Sequence, residues 1–382
     1  MKVKLTLIIK LLLLILFVSC SSEDNNTNST NDLNSGEYVV LLPLSIPINS
    51  IEFNDEVYVF HNDGLNSDRR DFNDNNISKI DANGQLLWTK ELSIDDAPET
   101  SFVTISNSQI NFFYISIDSE LRCLQFDENG NQIAEKLIAS NTFGEFYEGE
   151  SSFYRSRPTQ DGLSIEEYTL SGDLVGVNNL DVPFQFPNSK FFIENDKIYV
   201  FGLSEFNSNT GRADDPFCKI FENGVLQQEI ITRSNERVSI RESLVLDNGN
   251  LLFVYSGVID NRFQYRFQII DPMSGNEIAN QLFAASSNVI STHLNSNGNI
   301  VFATGNPRTD SFSKWSQVTI LDPELNLISQ RILGSFDEGE IFFDIKEESS
   351  YYISGTTFGR DGDFELPENT TGVDMFFYKL NK

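Results

Sequence analysis

The chain has few of the side chains that most often carry enzymatic chemistry. It contains two histidines and three cysteines in 382 residues. His61 and His293 are far apart, and neither has a second histidine or a cysteine at metal-ligand spacing. No glycine-rich phosphate loop, G-x-S-x-G turn or H-E-x-x-H motif occurs. These absences argue against a zinc site and a serine or cysteine triad. We expect both histidines to pack in the fold or to be exposed.

Basic residues are also scarce. The chain has 27 Lys and Arg against 56 Asp and Glu, a formal net charge of −29 at pH 7. Such a charge repels nucleic-acid phosphates and anionic lipid headgroups, so we expect no nucleic-acid partner. It is compatible with calcium, with a cationic ligand, or with solubility alone.

Helical periodicity is missing as well. No run of a dozen residues shows a convincing helical period, and only 11 prolines occur. Aromatic residues are plentiful instead, with 32 Phe and 12 Tyr, mostly in short runs with β-branched residues. This composition favours an all-β fold.

The N-terminus has the pattern of a secretory signal peptide. Lys2, Lys4 and Lys10 give it a positive charge, and the uninterrupted apolar run Leu11–Val18 is too short to span a bilayer core of ~30 Å. The run ends in Leu-Phe-Val-Ser-Cys, with the cysteine at Cys20. The alternative interpretation is a membrane helix with an incidental cysteine, but the chain turns polar immediately afterwards.

This ending resembles the lipobox of bacterial lipoproteins. The resemblance implies that residues 1–19 are removed, that Cys20 is lipidated, and that acyl chains on Cys20 anchor the protein to a membrane. Residues 20–36 are rich in Asn, Ser, Thr and acids and predict a flexible tether. Glu23 and Asp24 resemble the surface-export signal of lipoproteins from the Bacteroidota. We therefore predict an outer-membrane location, at the cell surface or facing the periplasm.

Residues 37–382 contain a degenerate repeat. Its core is a strand, a tight turn and a second strand, as in Ile77–Trp88 with Asn83-Gly84 at the turn. Asn-Gly between apolar runs favours a type I′ hairpin. Similar turns recur roughly every 50 residues, a period typical of β-propeller blades; they lie at Asn129-Gly130, Ser171-Gly172, Asn223-Gly224, near Gly275 and near Asn326.

Two further strands precede each hairpin, which makes about four strands in each unit. Seven units can be counted, and the last lacks its outer strand, while Tyr38–Ile46 precedes the first unit with no partner of its own. An open ring would leave exposed sheet edges. We therefore predict a single β-propeller of seven four-stranded blades, closed by the N-terminal strand. Six or eight blades, or a pair of β-sandwiches, are the alternatives.

The last unit resembles a repeat of secreted Bacteroidota proteins. The sequence from Ile353 to Asn381 has a Gly-ending strand, an Asp-Gly-Asp loop and an aromatic strand leading to Lys-Leu-Asn. The turn and tryptophan of the first hairpin resemble the same family. The resemblance implies a propeller outside the cytoplasm and no particular activity.

Cys123 and Cys218 each lie four residues before the acid that opens a hairpin turn. Other units place apolar residues at this position, such as Ile77 and Phe267. We therefore predict two buried core cysteines in the second and fourth blades. A disulfide between them is improbable, because a whole blade separates them.

Carboxylates are the only abundant reactive groups, and they cluster in loops between second and third strands. The seventh unit has Asp361, Asp363 and Glu365 at alternate positions, with Asp374 after them. Alternating carboxylates around a glycine resemble calcium loops, so these four residues are a candidate calcium site. A solvated acidic loop is the simpler alternative.

No spacing of residues identifies a reaction. We predict a cell-envelope lipoprotein whose propeller is a non-enzymatic binding or scaffolding module for a protein or a glycan. The alternative is a carbohydrate-active enzyme of propeller fold, a glycoside hydrolase or a lyase, which would use a pair of carboxylates.

Overall fold

The computed structural model of the protein describes residues 33–42, 45–63, 74–94, 100–140, 144–149, 151–160, 162–182, 190–203, 215–232, 238–259, 262–284, 291–305, 316–333, 340–357 and 374–382. These residues form seven four-stranded antiparallel sheets, and none of them is helical. No described segment therefore has the helix length and apolarity that crossing a bilayer requires. Residues 33–382 belong to one compact unit.

The sheets follow one another along the chain as blades. The strands of the first four blades are β2 (Ser45–Phe53), β3 (Glu56–Asp63), β4 (Asp74–Ile80), β5 (Leu86–Glu91); β6 (Thr100–Ser106), β7 (Gln109–Ile115), β8 (Leu121–Phe126), β9 (Gln132–Ala139); β10 (Phe146–Glu148), β11 (Ser152–Thr159), β12 (Gly162–Thr169), β13 (Leu174–Leu180); and β14 (Lys190–Glu194), β15 (Lys197–Leu203), β16 (Pro216–Glu222), β17 (Val225–Ile231). Those of the last three are β18 (Val238–Val245), β19 (Leu251–Ile259), β20 (Arg262–Ile270), β21 (Glu277–Ala284); β22 (Ser291–Leu294), β23 (Ile300–Gly305), β24 (Ser316–Leu321), β25 (Leu327–Leu333); and β26 (Glu340–Glu347), β27 (Tyr351–Thr357), β28 (Asp374–Leu380) with β1 (Tyr38–Leu42).

The blades form a β-propeller. The first strand of each blade touches the first strand of the next from β2 to β26, and β2 also contacts β27 and β28 of the seventh blade. The first strands therefore surround the centre and the fourth strands form the rim. The predicted all-β propeller of seven four-stranded blades is confirmed.

The seventh blade is completed by the N-terminal strand, as predicted. β1 lies antiparallel to β28, with Tyr38 opposite Lys379 and Leu42 opposite Met375. The predicted segment was slightly too long, because Ser45 and Ile46 already belong to the inner strand of the first blade. Leu33 also packs against the cluster between blades six and seven. The predicted signal peptide and most of the tether, with Cys20, lie outside the described residues.

The hairpin turns differ from the predicted type in most blades. At Asn83-Gly84 only the glycine has a positive φ, 82°. The Asp81 carboxylate explains this, because its Oδ1 accepts hydrogen bonds from the backbone N–H groups of Asn83 (2.9 Å) and Gln85 (2.8 Å). This Asx turn favours a type I turn followed by a left-handed glycine. At Asn223-Gly224 both residues have positive φ, 51° and 74°, as type I′ requires. In this turn Glu222 stands at the position that Asp81 has in the first blade.

The core lies between the faces of neighbouring blades. Phe60 of the first blade stacks on Phe112 of the second, with ring centroids 4.3 Å apart. Cys123 and Cys218 lie in the third strands of blades two and four, fully buried and free. The prediction that both are core residues is confirmed. Burial raises the pKa of the Cys123 thiol to about 12, so the thiol is inert at neutral pH.

Candidate functional site

The inner strands bring ionisable side chains together at the centre of the ring. Glu145 precedes β10, and Lys190 opens β14 in the next blade. The Lys190 Nζ lies 2.9 Å from Glu145 Oε1. Burial lowers the pKa of Lys190, but the charges of Glu242 and Glu145 outweigh burial and raise it. Lys190 therefore stays charged; it pairs with Glu145 of the third blade and is also attracted by the charge of Glu242 in the fifth.

Glu242 is the most perturbed acid of this centre. Glu242 follows a bulge in β18, where the pairing with β19 skips Arg241. A β-bulge changes the direction of the side chains next to it. Burial raises the pKa of Glu242 to about 7; Lys190 opposes the rise, whereas Glu145 and Asp344 add to it. The protonated form of Glu242 is therefore favoured relative to that of an ordinary glutamate.

A second lysine links the seventh blade to the first. Lys346 of β26 donates from Nζ to Asn49 Oδ1 and to the Ser50 carbonyl oxygen, both at 2.7 Å, and lies 3.8 Å from Asp344 Oδ2. Asn49 in turn donates to the Ser101 carbonyl oxygen of the second blade at 3.2 Å. These bonds connect three inner strands across the point where the ring closes.

The carboxylates exceed the lysines in this region. Burial raises the pKa of Glu148, an effect opposed by Lys346 and increased by Asp344. We call Glu145, Glu148, Glu242, Asp344, Lys190 and Lys346 the channel cluster. Four acids and two bases in a confined space attract a cation and repel an anion.

The two histidines lie outside the channel cluster. His61 is buried, with Nε2 2.8 Å from Ser78 Oγ. His293 is partly exposed, and its Nε2 lies 3.5 Å from Glu347 Oε2. Burial lowers the pKa of His293 and the Glu347 carboxylate opposes this, with a net decrease. His61 therefore packs against a polar neighbour of its own blade, whereas His293 of the sixth blade packs against Glu347 of the seventh.

The predicted calcium ligands fall mostly outside the described residues. Asp361, Asp363 and Glu365 lie between β27 and β28, in a part of the chain that is not described. Asp374 is the first residue of β28; it is buried and lies opposite Thr357. Within the described ranges no three His, Cys, Asp or Glu residues are grouped in a way that could hold a metal ion. The calcium site stays a prediction.

Sequence reasoning missed the channel cluster, because its members share no spacing. Glu145 and Lys190 are 45 residues apart in the chain. Only ring closure brings the inner strands of blades three, four, five and seven together. One signal was present: these inner strands carry charged residues among apolar ones. Nothing in the sequence shows that those charges meet.

Comparison with known proteins agrees on the fold. No family model and no curated protein matches the chain. Among 481 matching solved chains, the polysaccharide lyase Uly1 aligns with a TM-score of 0.54 at 12% identity, over 88% of this chain and 90% of that one. BBS1N, solved in complex with ARL6DN, aligns at 0.50 and 10% identity, over 89% and 92%. The Dos1 propeller aligns at 0.46 and 12% identity, over 87% and 77%. At these identities the likeness of Uly1 and BBS1N to this chain extends to the fold alone.

The raised pKa of Glu242 predicts a pH-dependent effect on stability. Its folded pKa of about 7 lies above the ordinary 4.5, so the folded state holds the proton more tightly. The contribution of Glu242 to the free energy of unfolding is therefore fully present below pH 4.5 and is lost as the pH rises to about 7. Glu242→Gln removes the charge and should stabilise the protein at pH 8 by about 1 to 3 kcal/mol, with little effect at pH 4.5.

Urea unfolding at the two pH values measures this difference. Glu324→Gln, in an exposed hairpin turn, is the matched control and should have little effect at either pH. An equal gain at both pH values, or no gain at pH 8, would contradict the buried environment assigned to Glu242.

Proposed function

We propose that this protein is a lipid-anchored cell-envelope β-propeller that binds a positively charged protein segment without catalysing a reaction. The channel cluster carries this proposal. Its lysines are already engaged, Lys190 with Glu145 and Lys346 with Asn49 and Ser50. The four carboxyl groups of the cluster outnumber its two lysines, so the site favours binding of a further cation.

Electrostatics favours a cationic partner over an anionic one. Two unit charges 4 Å apart at a protein surface interact by about 4 kcal/mol at an effective dielectric constant of 20. A lysine or arginine side chain entering the ring would be attracted by Glu242 and Asp344 together, and it would lower the pKa of Glu242 by favouring its charged form. The overall charge of −29 favours encounter with the same class of partner.

Peptide binding to the detergent-solubilised full-length protein tests this proposal. A lysine-rich peptide should bind in isothermal titration at low salt, and a glutamate-rich peptide of equal length should not. The double variant Glu242→Gln with Asp344→Asn should weaken binding at least about fivefold. The control is Glu324→Gln with Asp118→Asn, which makes the same charge change at two exposed positions. Equal affinity for the two peptides, or equal loss in both variants, would refute a channel site.

Anchoring through Cys20 is proposed from the lipobox-like sequence. Metabolic labelling with a palmitate analogue should mark the wild type, because several acyl chains hold a protein firmly at a membrane. Cys20→Ser should carry no label and should leave the membrane fraction. Equal labelling of both proteins would exclude lipidation at Cys20.

A glycoside hydrolase is the second candidate. An acid with a raised pKa beside another carboxylate is the arrangement that glycoside hydrolysis uses, and Glu242 and Glu145 have these properties. A lyase acting on an acidic polysaccharide is less well supported, because the channel cluster would repel its substrate. Release of sugar from neutral oligosaccharides, abolished by Glu242→Gln, would replace the binding proposal with this one.

A further inference from the structure

The first and fourth blades carry a tyrosine at the same place in the fold. Tyr58 lies in β3 opposite Lys79, and Tyr199 lies in β15 opposite Ile220. Lys79 and Ile220 each stand two residues before the residue that opens the hairpin turn of their blade. The surroundings of the two tyrosines can therefore be compared directly.

In the first blade this tyrosine is bonded to the neighbouring blade. The Tyr58 hydroxyl donates to the Glu128 carbonyl oxygen of the second blade at 2.6 Å, and Lys79 Nζ donates to the same oxygen at 3.2 Å. Trp88, opposite Lys79 in β5, packs edge-on against the Tyr58 ring, with centroids 6.1 Å apart. Long side chains therefore bridge the first and second blades here.

In the fourth blade the same hydroxyl has no partner. Ile220 and Gln228 stand where the first blade has the lysine and the tryptophan. Gln228 Nε2 donates to the carbonyl oxygen of Pro272, which has the place in the fifth blade that Glu128 has in the second. Tyr199 is 7% exposed, and its hydroxyl makes no hydrogen bond within the described residues. A ligand that pairs with this hydroxyl would satisfy it.

A cleft opens at this point between blades four and five. Its volume is about 420 Å³, a size typical of small-molecule sites. One wall is the face of the fourth blade with Tyr199, Ile220 and Gln228. The other wall consists of two turns of the fifth blade, at residues 248–250 and 271–273. The side chains at positions 220 and 228 are smaller than their counterparts in the first blade, so the space stays open.

The charges around this cleft are balanced or already bonded. Its charged lining residues among those described are Lys197, Glu222 and Asp271. Lys197 and Glu222 lie opposite each other in β15 and β16. Asp271 accepts from the Met273 N–H at 2.8 Å through Oδ1 and from the Ser274 hydroxyl at 2.6 Å through Oδ2. The cleft therefore favours an uncharged ligand over an ion.

Carboxamides supply most of the other polar groups. Gln227, Gln228, Asn248 and Asn250 all line the cleft. The Asn250 backbone N–H donates to Asn248 Oδ1 at 3.0 Å, whereas the Asn250 side-chain amide makes no hydrogen bond in the described part of the chain. A carboxamide both donates and accepts hydrogen bonds, and so does an alcohol hydroxyl. The lining therefore matches a ligand with several hydroxyl groups.

We propose that the cleft between blades four and five binds a neutral sugar. Sugar hydroxyls would pair with the Tyr199 hydroxyl and the Asn250 amide, and sugar C–H groups would lie against Ile220 and Met273, which also line the cleft. The channel cluster lies on the inner strands and takes no part in this site. The inference therefore goes beyond the proposed function and does not depend on it.

The neutral disaccharides cellobiose, maltose and lactose are the probes. Ligand-observed NMR with the detergent-solubilised full-length protein should show binding of at least one of them. Cellobiouronate and deacetylated chitobiose, charged disaccharides, should bind at least about fivefold more weakly than the best neutral one, because a charge loses hydration in the cleft. Tighter binding of the disaccharide than of its monosaccharide would identify a glycan chain as the source, and equal binding a free sugar.

Substitutions in the cleft test the site itself. Tyr199→Phe, which removes only the hydroxyl, should weaken binding about fivefold, and Asn250→Ala should weaken it at least as much. Ile220→Lys with Gln228→Trp installs the side chains of the first blade and should abolish measurable binding by filling the cleft.

Asn299→Ala is the matched control. The Asn299 carbonyl oxygen accepts from the Asn295 N–H at 2.9 Å in the sixth blade, as that of Asn250 accepts from the Leu246 N–H at 2.8 Å. Its sugar affinity should equal that of the wild type, and thermal melts should show that all variants fold. Absence of binding by all three disaccharides, equal binding of the charged ones, or full affinity in Tyr199→Phe and Asn250→Ala would overturn the proposal. The channel proposal would be unaffected.

Discussion

Deletion of residues 36–42 is expected to abolish cooperative folding of the propeller. These residues contain β1, whose side chains Tyr38, Val40 and Leu42 are buried. Glu37 adds an ion pair to Arg331 at 2.8 Å and accepts the Asn381 backbone N–H at 2.9 Å. Without β1, the edge of β28 and the apolar side chains beneath it would face water, which favours aggregation. Circular dichroism melts and size-exclusion chromatography should show an unfolded or aggregated chain.

A single substitution tests the closure of the ring by β1 without removing any part of the chain. Val40→Asp places a charge at a side chain that is 7% exposed, and should cost more than about 3 kcal/mol in urea unfolding. Val225→Asp is the matched control, because Val225 lies on the outer strand of the fourth blade and is 61% exposed. Its effect should stay within about 0.5 kcal/mol. A cooperative melt of the deletion variant at the wild-type temperature would show that the ring does not need β1.

Glu166→Leu is expected to be the most destabilising single substitution in the third blade. Glu166 accepts hydrogen bonds from Arg155 Nε at 3.1 Å and from Arg157 Nε at 2.8 Å, and Arg155 is buried. The substitution removes this shared carboxylate, and losing one partner of a buried ion pair costs about 3 to 5 kcal/mol. Adding Arg155→Met should recover most of this loss, because the corresponding second-strand position is apolar in the other six blades: Val59, Phe112, Val200, Phe253, Phe302 and Ile353. Urea unfolding of both variants measures the recovery. A double variant no more stable than Glu166→Leu would show that the arginine was not the source of the cost.

Acid titration gives an independent test of the same network. Burial raises the pKa of Glu166, but Tyr168, Arg155 and Arg157 together outweigh burial and hold it below the ordinary 4.5. Because the folded pKa is lowered, the stability from this group is present above pH 4.5 and is lost as the pH falls through the folded pKa. The double variant should therefore lose less stability than the wild type below pH 4.5.

Much of the fold was predictable because its signals are local. Alternating apolar residues and Gly-containing turns mark each blade, and the seventh unit ends one strand short at Asn381. That missing strand predicted the pairing of β1 with β28. The turn type was predicted less well, since the Asp81 carboxylate binds two backbone N–H groups and selects a type I turn over type I′. That preference depends on the residue before the turn, which the Asn-Gly pattern does not include.

The candidate sites were not predictable, for a physical reason. Glu145 and Lys190 form an ion pair between blades, and Lys346 reaches from the seventh blade to Asn49 of the first. Such contacts depend on the angle between neighbouring blades in the closed ring, and the spacing of residues in the sequence does not reveal that angle.

The sequence by itself favoured seven blades over six or eight, and it predicted the strand that closes the ring and the burial of Cys123 and Cys218. Hydrogen-bonded hairpins and alternating side chains are properties of short segments, so neighbouring residues in the sequence are enough to predict them. The tertiary structure alone decided which charges meet: the acids around Lys190, and the two guanidinium groups around Glu166. Electrostatic environment depends on distance and burial in the folded chain, and ring closure sets both.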